Sequence, residues 1–132
     1  MSGPRVKLIK AKAATKEPFL AYISTNAPHG PLHCPQKYLD IYEDQKDGIA
    51  AFFGMITNID ENMGLLMKKL DQWSLSENTL LIFMTDNGSA RGTFNYGMKG
   101  KKGSVNEGGS RVPLFLRFPN RIKPGLDIDR IT

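Results

Sequence analysis

Three groups of side chains in this sequence have types and spacing suited to ion chemistry. Asn26, His29 and His33 fall in "NAPHGPLHCP", and Asp86 and Asn87 open "DNGSARG". Lys99, Lys101 and Lys102 stand in "GMKGKKGSVNEGGSR", residues 97–111, among Gly97, Gly100, Gly103, Gly108 and Gly109. Asp86 and Asn87 offer one charged and one neutral oxygen donor, which suits a hard cation such as Ca²⁺ or Mg²⁺. Two donors do not hold an ion alone, and Asp-Asn-Gly is also a common turn tripeptide. His29, between Pro28 and Gly30, can donate to an anion or exchange a proton near neutral pH, or be a surface histidine with no task. Lys102 can pair its ammonium with an anionic oxygen, or simply be solvated. Brought together, a cation, a histidine and a lysine would suit a tetrahedral oxyanion ester. The cation and lysine would offset charge on the transferring group, and the histidine would assist the leaving oxygen.

Other chemistries find less support. The single cysteine, Cys34, permits no disulfide within the chain. Its neighbour His33 does not make it a nucleophile, because adjacent residues in an extended stretch point in different directions. The sequence has no Cys/His metal spacing and no Walker-type phosphate loop. Net charge is +5, and Arg5, Lys7, Lys10, Lys12 and Lys16 crowd the N-terminus. A basic arm can meet nucleic acid or an anionic membrane, but no nucleic-acid-binding motif accompanies this one. No apolar run reaches the roughly 18–20 residues of a membrane span, and the leader lacks the apolar core of a signal peptide.

The elements that must position these residues follow from hydrophobic pattern. "FLAYIST" (19–25) and "TLLIFMT" (79–85) read as buried strands, and "VPLFLRFP" (112–119) as a third, shorter one. Between the first two, Ile49, Phe52, Phe53, Ile56, Ile59, Met63, Leu66, Leu70 and Trp73 recur at three- and four-residue steps. That stripe predicts one helix of about 26 residues, or roughly 39 Å, with Asp47 as its cap and "SLSEN" (74–78) breaking it. Near-continuous apolar strands around a helix predict a right-handed crossover in a mostly parallel α/β sheet. In such sheets ligands gather beyond the carboxyl ends of the strands. Both His29 and the Asp86–Asn87 pair follow such ends.

"PFLAYISTNAPHGP", "NIDENMGLLMKKLDQWSLSENTLLIFMTDNGSARG" and "GMKGKKGSVNEGGSRVPLFLRFP" together resemble the C-terminal part of the type I sulfatase (arylsulfatase) catalytic domain, over about residues 18–120. The resemblance implies an alkaline phosphatase-like α/β/α sandwich, present here in part, and a sulfuric ester hydrolase acting on a sulfate-ester substrate. It places His29 at a histidine that contacts the sulfate and protonates the leaving group. It places Asp86 and Asn87 at two ligands of the divalent cation, usually calcium, with the aspartate also helping to deprotonate the nucleophile. Lys102 falls at the lysine that binds sulfate, whereas Lys99 and Lys101 match no site position. Asn106 stands where an aromatic residue is more usual.

The family's nucleophile is a formylglycine made within C-x-P-x-R or S-x-P-x-R, and neither motif occurs here; Cys34 continues as "CPQKY". The implied reading is therefore a basic leader over 1–17, poorly ordered, and a catalytic-domain fragment over 18–132. That fragment carries the cation- and sulfate-contacting part of the site and relies on an upstream part of the domain for the rest. Alone it would be inactive. The alternatives are a non-catalytic cation- or anion-binding domain, or a phosphonate or phosphodiester hydrolase of the same superfamily. Members of the family are often periplasmic, secreted or lysosomal, and the sequence leaves the compartment of this chain open.

Overall fold

The computed structural model describes residues 4–15, 17–92 and 94–129. The chain divides into two compact units, Met1–Leu75 and Ser76–Thr132.

The first unit is helical. Helix α1, Pro4–Thr15, occupies the basic leader and buries Val6 and Ile9. A short helix α2, Gln36–Leu39, continues into a 3₁₀ turn at Asp40–Tyr42, and both pack on the long helix α3, Asp47–Gln72. Helix α3 spans 26 residues, as the apolar period predicts. Its backbone start differs by one position: Lys46 is the capping residue and Asp47 the first helical one. Ala50, Met55, Leu66 and Leu70 are its buried apolar side chains, with Gly54 buried beside them, while Ile56 of the predicted stripe is exposed. A long stripe drifts around the helix, so it cannot all face one short partner.

The polar seam between α2 and α3 is specific. The Tyr38 hydroxyl donates to Glu61 Oε2 at 2.6 Å and accepts from Asn58 Nδ2 at 2.8 Å. Lys37 Nζ reaches the same carboxylate oxygen at 3.2 Å, and Tyr42 and Thr57 share a hydroxyl bond at 2.8 Å. Hydrogen bonding from Tyr38 first, and from Lys37 second, holds the Glu61 carboxyl below its ordinary value. Cys34 packs against Gly54, where a Cβ would lie 2.6 Å from its Sγ. Burial raises the thiol's pKa, which suits a packing role rather than a nucleophile.

Helix α3 ends in a paired cap. Ser74 adopts a left-handed φ of 55°, its N–H donates to Asp71 O at 3.0 Å, and the Leu75 N–H donates to Leu70 O at 2.9 Å. These are the two bonds of a Schellman motif, built here on serine instead of glycine.

The second unit holds the described strands, β1 (Leu81–Met84) and β2 (Leu114–Arg117). They pair antiparallel, with Leu81 opposite Arg117 and Met84 opposite Leu114, and Phe83 and Phe115 stack at 6.3 Å. The parallel crossover expected between residues 19–25 and β1 is not formed among the described residues. Among the described residues of 85–113, which join the two strands, the one helix is the four-residue α4, Glu107–Ser110, and the segment folds back on itself. Without a crossover helix, the chain returns as an antiparallel neighbour. Residues 19–25 also differ from expectation. They join no ladder among the described residues, and Leu20 and Tyr22 are largely exposed. An apolar pattern encodes burial but does not supply the partner strand that a ladder needs.

Candidate functional site

Asp86 and Asn87 lie just beyond the carboxyl end of β1, the position expected for ligand-contacting residues. Asp86 is exposed and Asn87 half-buried. Asn87 Nδ2 donates to Gly88 O at 3.2 Å, which commits the amide nitrogen and leaves Oδ1 as the oxygen donor.

The turn that carries this pair is seated on the glycine-rich loop through backbone atoms. The Gly88 N–H donates to Gly109 O at 3.0 Å, and the Lys102 N–H donates to Ser89 O at 3.1 Å. Within the loop, the Gly108 N–H donates to Lys99 O at 2.9 Å, and Asn95 Nδ2 donates to the carbonyls of Met98 at 2.6 Å and Gly100 at 3.1 Å. Glycine is required where the two backbones meet. A methyl at Gly88 would overlap the Gly108 carbonyl oxygen and sit 2.9 Å from its carbonyl carbon. A methyl at Gly109 would lie 2.7 Å from Lys101 O. Gly100, at φ 90°, needs glycine for its backbone conformation as well. So the glycines serve close packing of the loop onto the Asp-Asn-Gly turn, and the loop is tied at several points along its length.

Lys102 is exposed, and among the described residues its ammonium makes no ion pair. Lys99 and Lys101 are exposed too, whereas Arg111 pairs with Glu107 at 3.3 Å. The second unit therefore brings Asp86, Asn87 and Lys102 onto one hydrogen-bonded backbone scaffold.

His29 belongs to the first unit and stands exposed in the turn 26–31, where its N–H donates to Asn26 O at 2.8 Å. Its Nδ1 lies 2.8 Å from Gly30 O. A carbonyl can only accept, so Nδ1 carries a proton and Nε2 is the nitrogen open to a ligand. Asn26 and His33 are exposed.

Asp86 and Asn87 are hard oxygen donors and fit a calcium- or magnesium-type ion as part of a ligand set. Among the described residues no group of three or more His, Cys, Asp or Glu is placed to hold a metal. The pair is thus an incomplete set by itself. Sequence reasoning missed Ser89, Asn95 and the Gly108–Gly109 pair as the parts that hold the site together. The doubled glycine was the one visible signal of a close backbone approach.

The fold and site together define an α/β protein that presents two oxygen donors beyond a strand end and, on the loop packed against them, a lysine outside any ion pair among the described residues. Comparison with known proteins then fixes its family. The sequence model described as Sulfatase matches residues 6–131, and the chain belongs to that family. It is 27% identical to an arylsulfatase of Clostridium perfringens, over 83% of this chain and 29% of that protein. It is 29% identical to an ulvan-active sulfatase of Formosa agariphila, over 84% of this chain and 25% of the relative. A solved structure, described as Ps i-CgsB in complex with k-i-k-neocarrahexaose, superposes with a TM-score of 0.82 at 32% identity, covering 88% of this chain and 26% of that one. The fold is accordingly part of the alkaline phosphatase-like sulfatase domain. The chain spans between a quarter and three tenths of the length of the curated relatives named here.

Proposed function

We propose that this chain supplies the cation- and sulfate-contacting part of the active site of a sulfuric ester hydrolase. The observation that carries the reading is the seating of the Lys102 loop on the Asp86–Asn87 turn, through the Lys102–Ser89 and Gly88–Gly109 backbone bonds. Membership of the sulfatase family supports it.

In this reading Lys102 binds a non-bridging sulfate oxygen, and its charge opposes the negative charge that builds up as the ester bond breaks. Asp86 and Asn87 Oδ1 provide two oxygen donors to a calcium-type ion, which when bound supplies positive charge to polarise the sulfate. His29, with both ring nitrogens protonated, gives its Nε2 proton to the leaving alcohol oxygen while Gly30 O holds Nδ1–H. The formylglycine nucleophile comes from outside these residues, since neither precursor motif is in the sequence.

The test pairs two lysines in one polypeptide that joins this chain to a formylglycine-bearing sulfatase segment. Lys102→Ala should lower kcat/KM for an aryl sulfate by about 100-fold or more, the scale of losing one transition-state charge contact. Lys12→Ala, whose ammonium pairs with Glu17 in the leader, should stay within about twofold of the parent. Equal activity in the two variants would defeat the assignment of Lys102.

A further inference from the structure

Asn87 is the only asparagine of this sequence that a glycine follows, and the proposed reaction makes no use of that pairing. An asparagine side chain can be attacked at Cγ by the backbone nitrogen of the next residue. Glycine in that next position leaves the attack unhindered, because it has no Cβ and an unusually free backbone. Asn87 is half-buried, so water reaches it. Its side chain folds forward along Gly88, with Nδ2 donating to Gly88 O at 3.2 Å. A bulkier residue has no room at 88. A Cβ there would lie 2.9 Å from the Gly108 carbonyl carbon and 3.2 Å from the Gly109 Cα. Packing of the loop therefore demands the residue that makes Asn87 labile. The same packing supplies the restraint. The Gly88 nitrogen, which would be the attacking atom, donates its N–H to Gly109 O at 3.0 Å. One residue further on, Ser89 O accepts from the Lys102 N–H at 3.1 Å. A nitrogen bonded in this way neither loses its proton readily to solvent nor swings onto Cγ until the loop opens.

We propose that Asn87–Gly88 is a deamidation site that the glycine-rich loop holds closed, so that release of the loop alters the turn irreversibly. In the reaction the Gly88 nitrogen forms a bond to Asn87 Cγ as the Cγ–Nδ2 bond breaks. The Gly88 nitrogen gives its proton to a solvent base, and Nδ2 takes up a proton from water and leaves as ammonia. Water then opens the cyclic imide at either carbonyl, giving aspartate or isoaspartate. Aspartate adds a negative charge beside Asp86 and replaces a neutral oxygen donor by an anionic one. Isoaspartate routes the main chain through the former side chain and lengthens it by a methylene, which moves the Gly88 N–H out of register with Gly109 O. The consequence for a bound cation rests on the reading of Asp86 and Asn87 as its donors; the modification itself needs only the backbone contacts.

The experiment incubates the full 132-residue chain in mildly alkaline buffer, with and without denaturing urea, and follows the proteolytic peptide that spans residue 87. Mass spectrometry reads loss of the amide, and enzymatic methylation of isoaspartate reads the rearranged linkage. Conversion at Asn87 should run at least about tenfold faster in urea, where the Gly88 N–H is released. Gly109→Ala, whose methyl would lie 2.7 Å from Lys101 O, should raise the rate in buffer alone by about tenfold or more. Asn95 and Asn106, followed by Tyr96 and Glu107, should keep their amides over the same period, and Asn87→Gln should give no product. No conversion at Asn87 in urea, or conversion spread equally over Asn95 and Asn106, would overturn the site. Equal rates with and without urea, or a Gly109→Ala rate within about twofold of the parent, would overturn the guarding role of the loop. Because the readout is mass and linkage at residue 87, a failure of the cation reading leaves this result untouched.

Discussion

Replacing Gly88 by alanine should release the Asp86–Asn87 turn from the glycine-rich loop. The added methyl would overlap the Gly108 carbonyl oxygen and press to 2.9 Å from the Gly108 carbonyl carbon and 3.2 Å from the Gly109 Cα. All three are backbone atoms of a hydrogen-bonded segment, so no side chain can rotate out of the way. Overpacking of this kind costs about 1–3 kcal/mol, and breaking the 3.0 Å Gly88–Gly109 bond adds about 1 kcal/mol. The sum, roughly 2–4 kcal/mol, is a large part of the roughly 3–9 kcal/mol expected for a unit the size of Ser76–Thr132. Amide exchange reads it directly. The Gly88 and Lys102 N–H groups should exchange roughly 30- to 700-fold faster in Gly88→Ala. Gly64→Ala is the control, because its Cβ would meet nothing within 4 Å in the middle of α3 and should stabilise by about 1 kcal/mol. Protection of both amides within twofold of the parent in Gly88→Ala would refute the argument that backbone contact seats this turn.

Two further outcomes follow from the first unit. Ser74→Gly should raise its stability by about 1 kcal/mol, measured by urea unfolding, because the left-handed C-cap costs a serine energy that glycine does not incur; no gain would mean that the Ser74 conformation is not strained. The Glu61 carboxyl, held below its ordinary 4.5 by Tyr38 and then Lys37, contributes stability above about pH 4.5 and loses it as pH falls through the lower folded value. Glu61→Gln should therefore flatten the decline in melting temperature between about pH 5 and pH 3, and identical slopes in the two proteins would contradict that linkage.

What was legible in the sequence was what depends on near neighbours. The length of α3 was readable because helix periodicity is local, and its end because residues 74–78 break the pattern. The Asp86–Asn87 turn followed from the end of an apolar run, and the structure puts it just past β1. The pairing of β2 with β1 was not readable, because it depends on how residues 85–113 return, and that path is set by hydrogen bonds between residues far apart in the chain. Nor could 19–25 be told from a paired strand, since its apolar residues look the same with or without a neighbour. Beyond the doubled glycine at 108–109, the close approach of the two backbones was not readable, because the atoms that would meet a Cβ at Gly88 belong to residues about twenty positions away. The site residues themselves came from a resemblance that the family match supports at the level of the domain.

The central claim is that Lys102 is an oxyanion contact on a built scaffold and not one solvated lysine among many. The most direct measurement is an NMR titration of the full chain with inorganic sulfate, repeated on Lys102→Ala and Lys12→Ala. The account predicts saturable shifts across residues 97–111 that vanish in Lys102→Ala and persist in Lys12→Ala. Shifts of equal size around the lysines of α1, or a response unchanged by Lys102→Ala, would contradict it.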